Sequence, residues 1–73
     1  MITIFEGTEP TLAEVQQAVG GWVELVNLPN GDQMLVDEDG LSKRLPLNRD
    51  ASMMAGKPIV GSVAILRGGA KWR

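Results

Sequence analysis

Two periods of hydrophobic and polar positions run through the chain, and together they predict four strands and two short helices. Met1 to Phe5 is a β-branched and aromatic run stopped by Gly7, the pattern of a short first strand. Leu12, Val15, Ala18 and Val19 then recur at helical spacing. Thr11 lies three residues before Glu14, so hydroxyl and carboxylate can each satisfy a backbone donor at the helix start, and Gly20-Gly21 supplies the left-handed stop. Such a helix has barely two turns and is held only by packing its apolar stripe onto a sheet.

Trp22 to Leu28 and Gln33 to Asp37 read as a second and third strand joined through Pro29-Asn30-Gly31-Asp32. With Asn30 and Gly31 as the central pair of a type I′ turn, Leu28 faces Gln33, Val26 faces Leu35 and Glu24 faces Asp37. Both faces of that hairpin are partly apolar, so a spare face is expected as a contact surface for another copy or a partner. Asn48 suits the cap of a second helix over Ala51 to Ala55, with Leu47 as its outside staple and Gly56 as its end. Ile59 to Leu66 is apolar almost throughout, as a strand covered on both faces would be, with Gly61 marking a bulge or a close approach. The expected fold class is α+β: a small two-layer domain of order β-α-β-β-α-β, with a four-stranded antiparallel or mixed sheet and two short helices. Residues 1–66 form the expected single domain and residues 67–73 a basic flexible tail.

Composition narrows the chemistry. The chain has 73 residues, no Cys and no His, which removes disulfides, thiolate nucleophiles, the commonest general base and the usual zinc ligands. A domain this small has a marginal core, and self-association is the remaining source of added stability. Ile2 to Phe5 is too short for a signal-peptide core and no stretch approaches a membrane span, so a cytoplasmic protein without membrane contact is expected. The net charge of −2 conceals a segregation: Met1 to Leu41 holds eight acids and no base, whereas Ser42 onward holds seven bases and only Asp50, giving −8 and +6. Strands from the two halves that alternate in one sheet would cancel these charges locally; otherwise they form patches that select a charged partner.

A longer pattern emerges from the spacing of several segments. Val19-Gly-Gly-Trp22, Glu24-Leu-Val26, Asp37-Glu-Asp-Gly40, Leu45-Pro-Leu-Asn-Arg49 with Ala51, and Ile59-Val-Gly61 together resemble a family of small domains of unknown function found in phages, plasmids and bacterial mobile elements. The resemblance covers residues 12–66. Its positions match at Gly20, Gly21, Glu24, Glu38, Gly40, Pro46, Asn48, Arg49 and Gly61, and depart at Asp37, where the family usually has Asn. What it implies is a mobile-element accessory protein, in a bacterial host cytoplasm if phage-encoded; it supplies no activity and no cofactor.

Candidate site residues follow from the polar pattern. Pro46 stiffens a loop that presents Asn48 and Arg49 side by side, an amide and a guanidinium suited to phosphate or carboxylate, although Asn48 can equally cap the second helix and Arg49 can equally pair with Glu38 or Glu24. The triplet Asp37-Glu38-Asp39 lacks the alternating ligand spacing of a calcium loop and reads as a charged turn, so no metal is expected. Lys43 and Arg44, with the tail bases and Trp72, could meet nucleic acid, and Trp22 is either an anchor under the first helix or a stacking platform. The reading preferred is a non-enzymatic protein that binds a host protein, in host takeover or counter-defence, and possible homodimerisation. The alternatives are a nucleotide-like ligand module built on Asn48, Arg49 and Trp22, and, less favoured, nucleic-acid binding.

Overall fold

The computed structural model describes residues 1–72. Its elements follow the expected order: β1 (Ile2–Glu6), α1 (Leu12–Val19), β2 (Val23–Asn27), β3 (Gln33–Asp37), α2 (Arg49–Ala55) and β4 (Val63–Arg67), with a 3-10 turn at Gly68–Ala70. The strands form one mixed sheet in the order β1-β4-β3-β2. β1 runs parallel to β4, and the other pairs are antiparallel. The fold class is therefore α+β, as the sequence predicts.

Both helices begin as their sequences dictate. Thr11 Oγ1 accepts from the Glu14 amide at 3.1 Å while Glu14 Oε1 accepts from the Thr11 amide at 3.0 Å. Asn48 Oδ1 accepts from the Ala51 amide at 3.1 Å to open α2. Gly20 and Gly56 close the two helices in the left-handed region.

The layering differs from the expected two layers, and the reason lies in β4. Val63, Ala64, Ile65 and Leu66 are all fully buried on alternating faces, so both faces need cover. On one side Val63 and Ile65 join Val26, Met34 and Ala51 of α2; on the other Ala64 and Leu66 join Leu35 and Val15 and Val19 of α1. One helix thus lies over each face. The spare hairpin face is absent for the same reason: Met34 and Leu35 are both buried, and of the exposed apolar residues in the hairpin strands only Leu25, 43% exposed, remains, on β2 at the edge of the sheet.

Four further expectations are corrected. The hairpin register is displaced by one residue, with Val26 opposite Met34 and Glu24 opposite Val36. Pro29 sets this: its fixed φ suits the first central position of a type I turn, so the loop is Pro29-Asn30-Gly31, with the Gly31 amide donating to the Leu28 carbonyl and the Leu28 amide to the Asp32 carbonyl. Gly31, at φ 91°, supplies the left-handed residue that completes such a loop. The last strand starts at Val63 instead of Ile59, because Gly61 at φ 79° breaks it and leaves Val60 to form its own bridge with Leu47.

Trp22 is not an anchor under α1; it is 65% exposed, and the tryptophan packed against that helix's cluster is Trp72. Residues 67–72 consequently do not form a flexible tail. Arg67 ends β4, Ala70 is fully buried, and the Gln33 side chain both donates to the Trp72 carbonyl at 2.7 Å and accepts from its amide at 2.6 Å. Arg73 lies outside the described residues. Both ion pairs among the described residues, Lys43 to Asp37 at 2.7 Å and Arg67 to Asp32 at 2.8 Å, join a base of the second half to an acid of the first.

Candidate binding cleft

β3 ends in Asp37, whose side chain is only 2% exposed. Its carboxylate accepts from Lys43 Nζ at 2.7 Å and from the Asp39 amide at 2.8 Å. The lysine hydrogen bond holds the Asp37 carboxyl below its usual value against the opposing effect of burial. The turn that follows is tied by backbone bonds from Lys43 to Asp39, Arg44 to Leu41 and Leu45 to Gly40, and it carries Arg44 at φ 57°, the one non-glycine in the left-handed region among the described residues.

The next segment is clamped to residues 59–61. The Gly61 amide donates to the Pro46 carbonyl at 2.8 Å and the Asn48 amide to the Ile59 carbonyl at 2.8 Å. Asn48 Nδ2 donates to the Gly61 carbonyl at 2.9 Å and to the Met1 carbonyl at 3.3 Å. A Cβ on Gly61 would stand 2.7 Å from Leu45 Cδ1, so the two segments lie as close as their side chains permit. Leu47 does not staple α2 from outside as expected; it is 55% exposed on this fixed backbone.

The sequence-predicted residues are divided between two clefts. One, of about 620 Å³, is lined by Lys43, Leu45 to Asp50 and Gly61 among others, and so holds Asn48, Arg49 and Lys43. The other, of about 650 Å³, is lined by Glu24, Glu38 and Lys57 together with Val26 and Ile59 among others. Both volumes fall in the range of ligand sites. Trp22 and Arg44 line neither. Within the first cleft the cations differ: Lys43 is committed to Asp37, whereas Arg49 is exposed and has no carboxylate within 4.0 Å among the described residues, so neither Glu38 nor Glu24 pairs with it. No group of three or more acidic side chains among the described residues could share a cation.

Sequence reading missed Asp37 as the anchor of this loop and Leu47 as its exposed apolar residue. Charge alone does not distinguish Asp37 from Glu38 and Asp39; alternation within β3, which puts Asp37 on the face of Leu35, is the signal that turns it inward. The sequence marks Asn48 as a cap or a ligand donor, whereas its bonds to Gly61 and Met1 span 13 and 47 residues.

The chain matches the family of DUF3846 domains, a domain of unknown function, over residues 2–71, and it belongs to that family. No curated protein and no solved structure matches it. No helix among the described residues is long and apolar enough to cross a membrane.

Proposed function

We propose that this domain is a non-enzymatic binding module, an accessory protein of a phage or mobile element that docks on an acidic surface of a cytoplasmic host protein through the cleft around Arg49. The observation that carries this reading is the juxtaposition of an exposed Arg49, without a carboxylate partner among the described residues, and half-exposed Leu47 on a backbone already tied to residues 59–61. Arginine beside an apolar anchor is the composition of an interface hot spot, and a backbone fixed in advance spares the ordering entropy that a mobile loop would lose. The resemblance to mobile-element domains and the absence of Cys and His favour the same reading.

The two alternatives have less support. A nucleotide site would need Asn48 and Trp22 beside Arg49, but the Asn48 amide is bonded to Ala51, Gly61 and Met1 and Trp22 lines neither cleft. A nucleic-acid surface would need Lys43 and Arg44 near the C-terminal bases. Lys43 is bonded to Asp37 at one end of β3, while Trp72 is bonded to Gln33 at the other, about 13 Å away at strand rise.

Affinity capture with the tagged domain in a bacterial host tests the proposal. A stoichiometric host protein retained by the wild type and by Lys71→Glu, and lost on Arg49→Glu and on Leu47→Asp with unchanged thermal stability, is the expected result. Capture indifferent to both substitutions, or no stoichiometric partner, would refute it.

A further inference from the structure

β2 is an edge strand, and its inner ladder determines which of its peptide groups face outward. The Leu28 amide donates to the Asp32 carbonyl and the Glu38 amide to the Trp22 carbonyl. With Val26 opposite Met34 and Glu24 opposite Val36, the even-numbered residues turn their N–H and C=O groups toward β3. Val23, Leu25 and Asn27 therefore present theirs to the open edge. The ladder extends over seven residues, from Trp22 to Leu28, and no Lys or Pro interrupts it. Such an edge is a template for a further strand, and it carries Trp22, 65% exposed, and Leu25, 43% exposed.

We infer that a second copy of the chain occupies this edge, β2 against β2, antiparallel about a two-fold axis at Leu25. Only the odd-numbered residues have free peptide groups, so odd must pair with odd. Moving the axis to residue 24 would put Glu24 directly opposite its own copy, a destabilising pair of like charges. Moving it to residue 26 would put Pro29, which has no N–H, opposite Val23, where a donor is required. With the axis at Leu25 every outward group of both strands is used, in about six inter-chain hydrogen bonds. Val23 meets Asn27, Leu25 meets its own copy, Glu24 meets Val26 and Trp22 meets Leu28.

The area at this edge limits the pair to a weak dimer. Stable interfaces bury roughly 600–1,000 Å² per partner, and the chain exposes 4676 Å² in all. Trp22 can contribute on the order of 100 Å² of this, with Leu25 and the flanking Glu24 and Asn27 adding to it. A five-residue pairing of this kind falls at or below the low end of that range, so dimerisation is weak and concentration-dependent. β1, at the opposite edge, also ends the sheet, but its five residues carry no exposed aromatic. A two-fold pair at β2 extends the sheet to eight strands and leaves the Arg49 cleft of each copy outside the interface strands.

Light scattering and sedimentation equilibrium on the full chain from about 1 µM to about 200 µM test this. The mass should rise to twice 7.8 kDa, and Asn27→Pro should hold it at the monomer value with an unchanged circular dichroism spectrum, since that N–H is unused within the chain. Leu25→Lys, which opposes two charges at the axis, serves as the second variant should the proline disturb folding. Because the chain has no Cys, a short bismaleimide should link Leu25→Cys across the axis and leave Ile4→Cys unlinked. A monomer at every concentration, a dimer indifferent to both edge variants, or linkage through Ile4→Cys in its place would overturn the inference.

Discussion

Asn48 offers the sharpest separation of a local role from a long-range one. As a helix cap alone it would be worth about 1 kcal/mol, and Asp would replace it without loss, since Asn and Asp are equivalent caps. In the structure the same side chain also donates to the carbonyls of Gly61 at 2.9 Å and Met1 at 3.3 Å. A neutral hydrogen bond contributes about 0.5–1.5 kcal/mol; the long, exposed bond to Met1 belongs at the bottom of that range and the part-buried one to Gly61 near its middle. Asn48→Ala should therefore cost about 2 to 3 kcal/mol, a fall in Tm of roughly 8–24 °C for a domain of this size. Asn48→Ser, which keeps only the cap, should lose about half as much. Asn48→Asp keeps the cap but turns a carboxylate oxygen toward two carbonyl oxygens, and should be at least as damaging as Ala. Urea unfolding followed by tryptophan fluorescence, with the midpoints compared at constant slope, measures all three. Wild-type stability in Asn48→Asp, or a loss near 1 kcal/mol in Asn48→Ala, would refute the long-range role and with it the rigidity of the 45–50 loop.

Other consequences follow from the same contacts. The Asp37 carboxyl is held below its usual 3.8 by Lys43, so its contribution is fully present above that value and is lost as pH falls through the lower folded value; Asp37→Asn should cost about 1.5–3 kcal/mol at pH 7 and make the acid limb of a urea-midpoint profile shallower. A Cβ on Gly69 would collide with the Gly7 carbonyl oxygen, and backbone cannot yield as a side chain can; Gly69→Ala should lower Tm more than Gly21→Ala, where the added carbon meets the flexible Lys43 Nζ at 2.7 Å. Gln33→Leu strips two hydrogen bonds from the Trp72 backbone; in a Trp22→Phe background the remaining emission should shift to the red, with a loss of about 1–2 kcal/mol.

Features set by a few neighbouring residues were legible in the sequence. The Thr11 and Glu14 capping box, the Asn48 cap and the strand-helix order follow from local hydrogen bonding and hydrophobic period, and the structure has them all. One misreading arose where a distant residue decided the outcome, and two where a local signal was outweighed. Trp22 and Trp72 exchange roles because Gln33, 39 residues from Trp72, ties down the C-terminal segment that carries it. Layering could have been inferred from β4 itself, whose unbroken apolar run contradicts a sheet covered on one face only. The hairpin register turned on Pro29, where the strength of the Asn30-Gly31 signal hid a residue that fits the first central position of a different turn. At the site, Arg49 and Asn48 are recognisable by type, but their division of labour is not: one side chain is spent on the chain's own carbonyls, and the other has no carboxylate partner among the described residues.

The central claim is that the exposed Leu47 and Arg49 face a protein partner. Replacing Leu47 with a photo-activatable residue in the intact domain and irradiating living host cells tests it directly. A single host protein covalently attached at position 47, and not when the same residue replaces the exposed Glu9, which lines neither cleft, is the predicted result. Equal labelling at both positions, or none at position 47 while the domain remains folded, would contradict it.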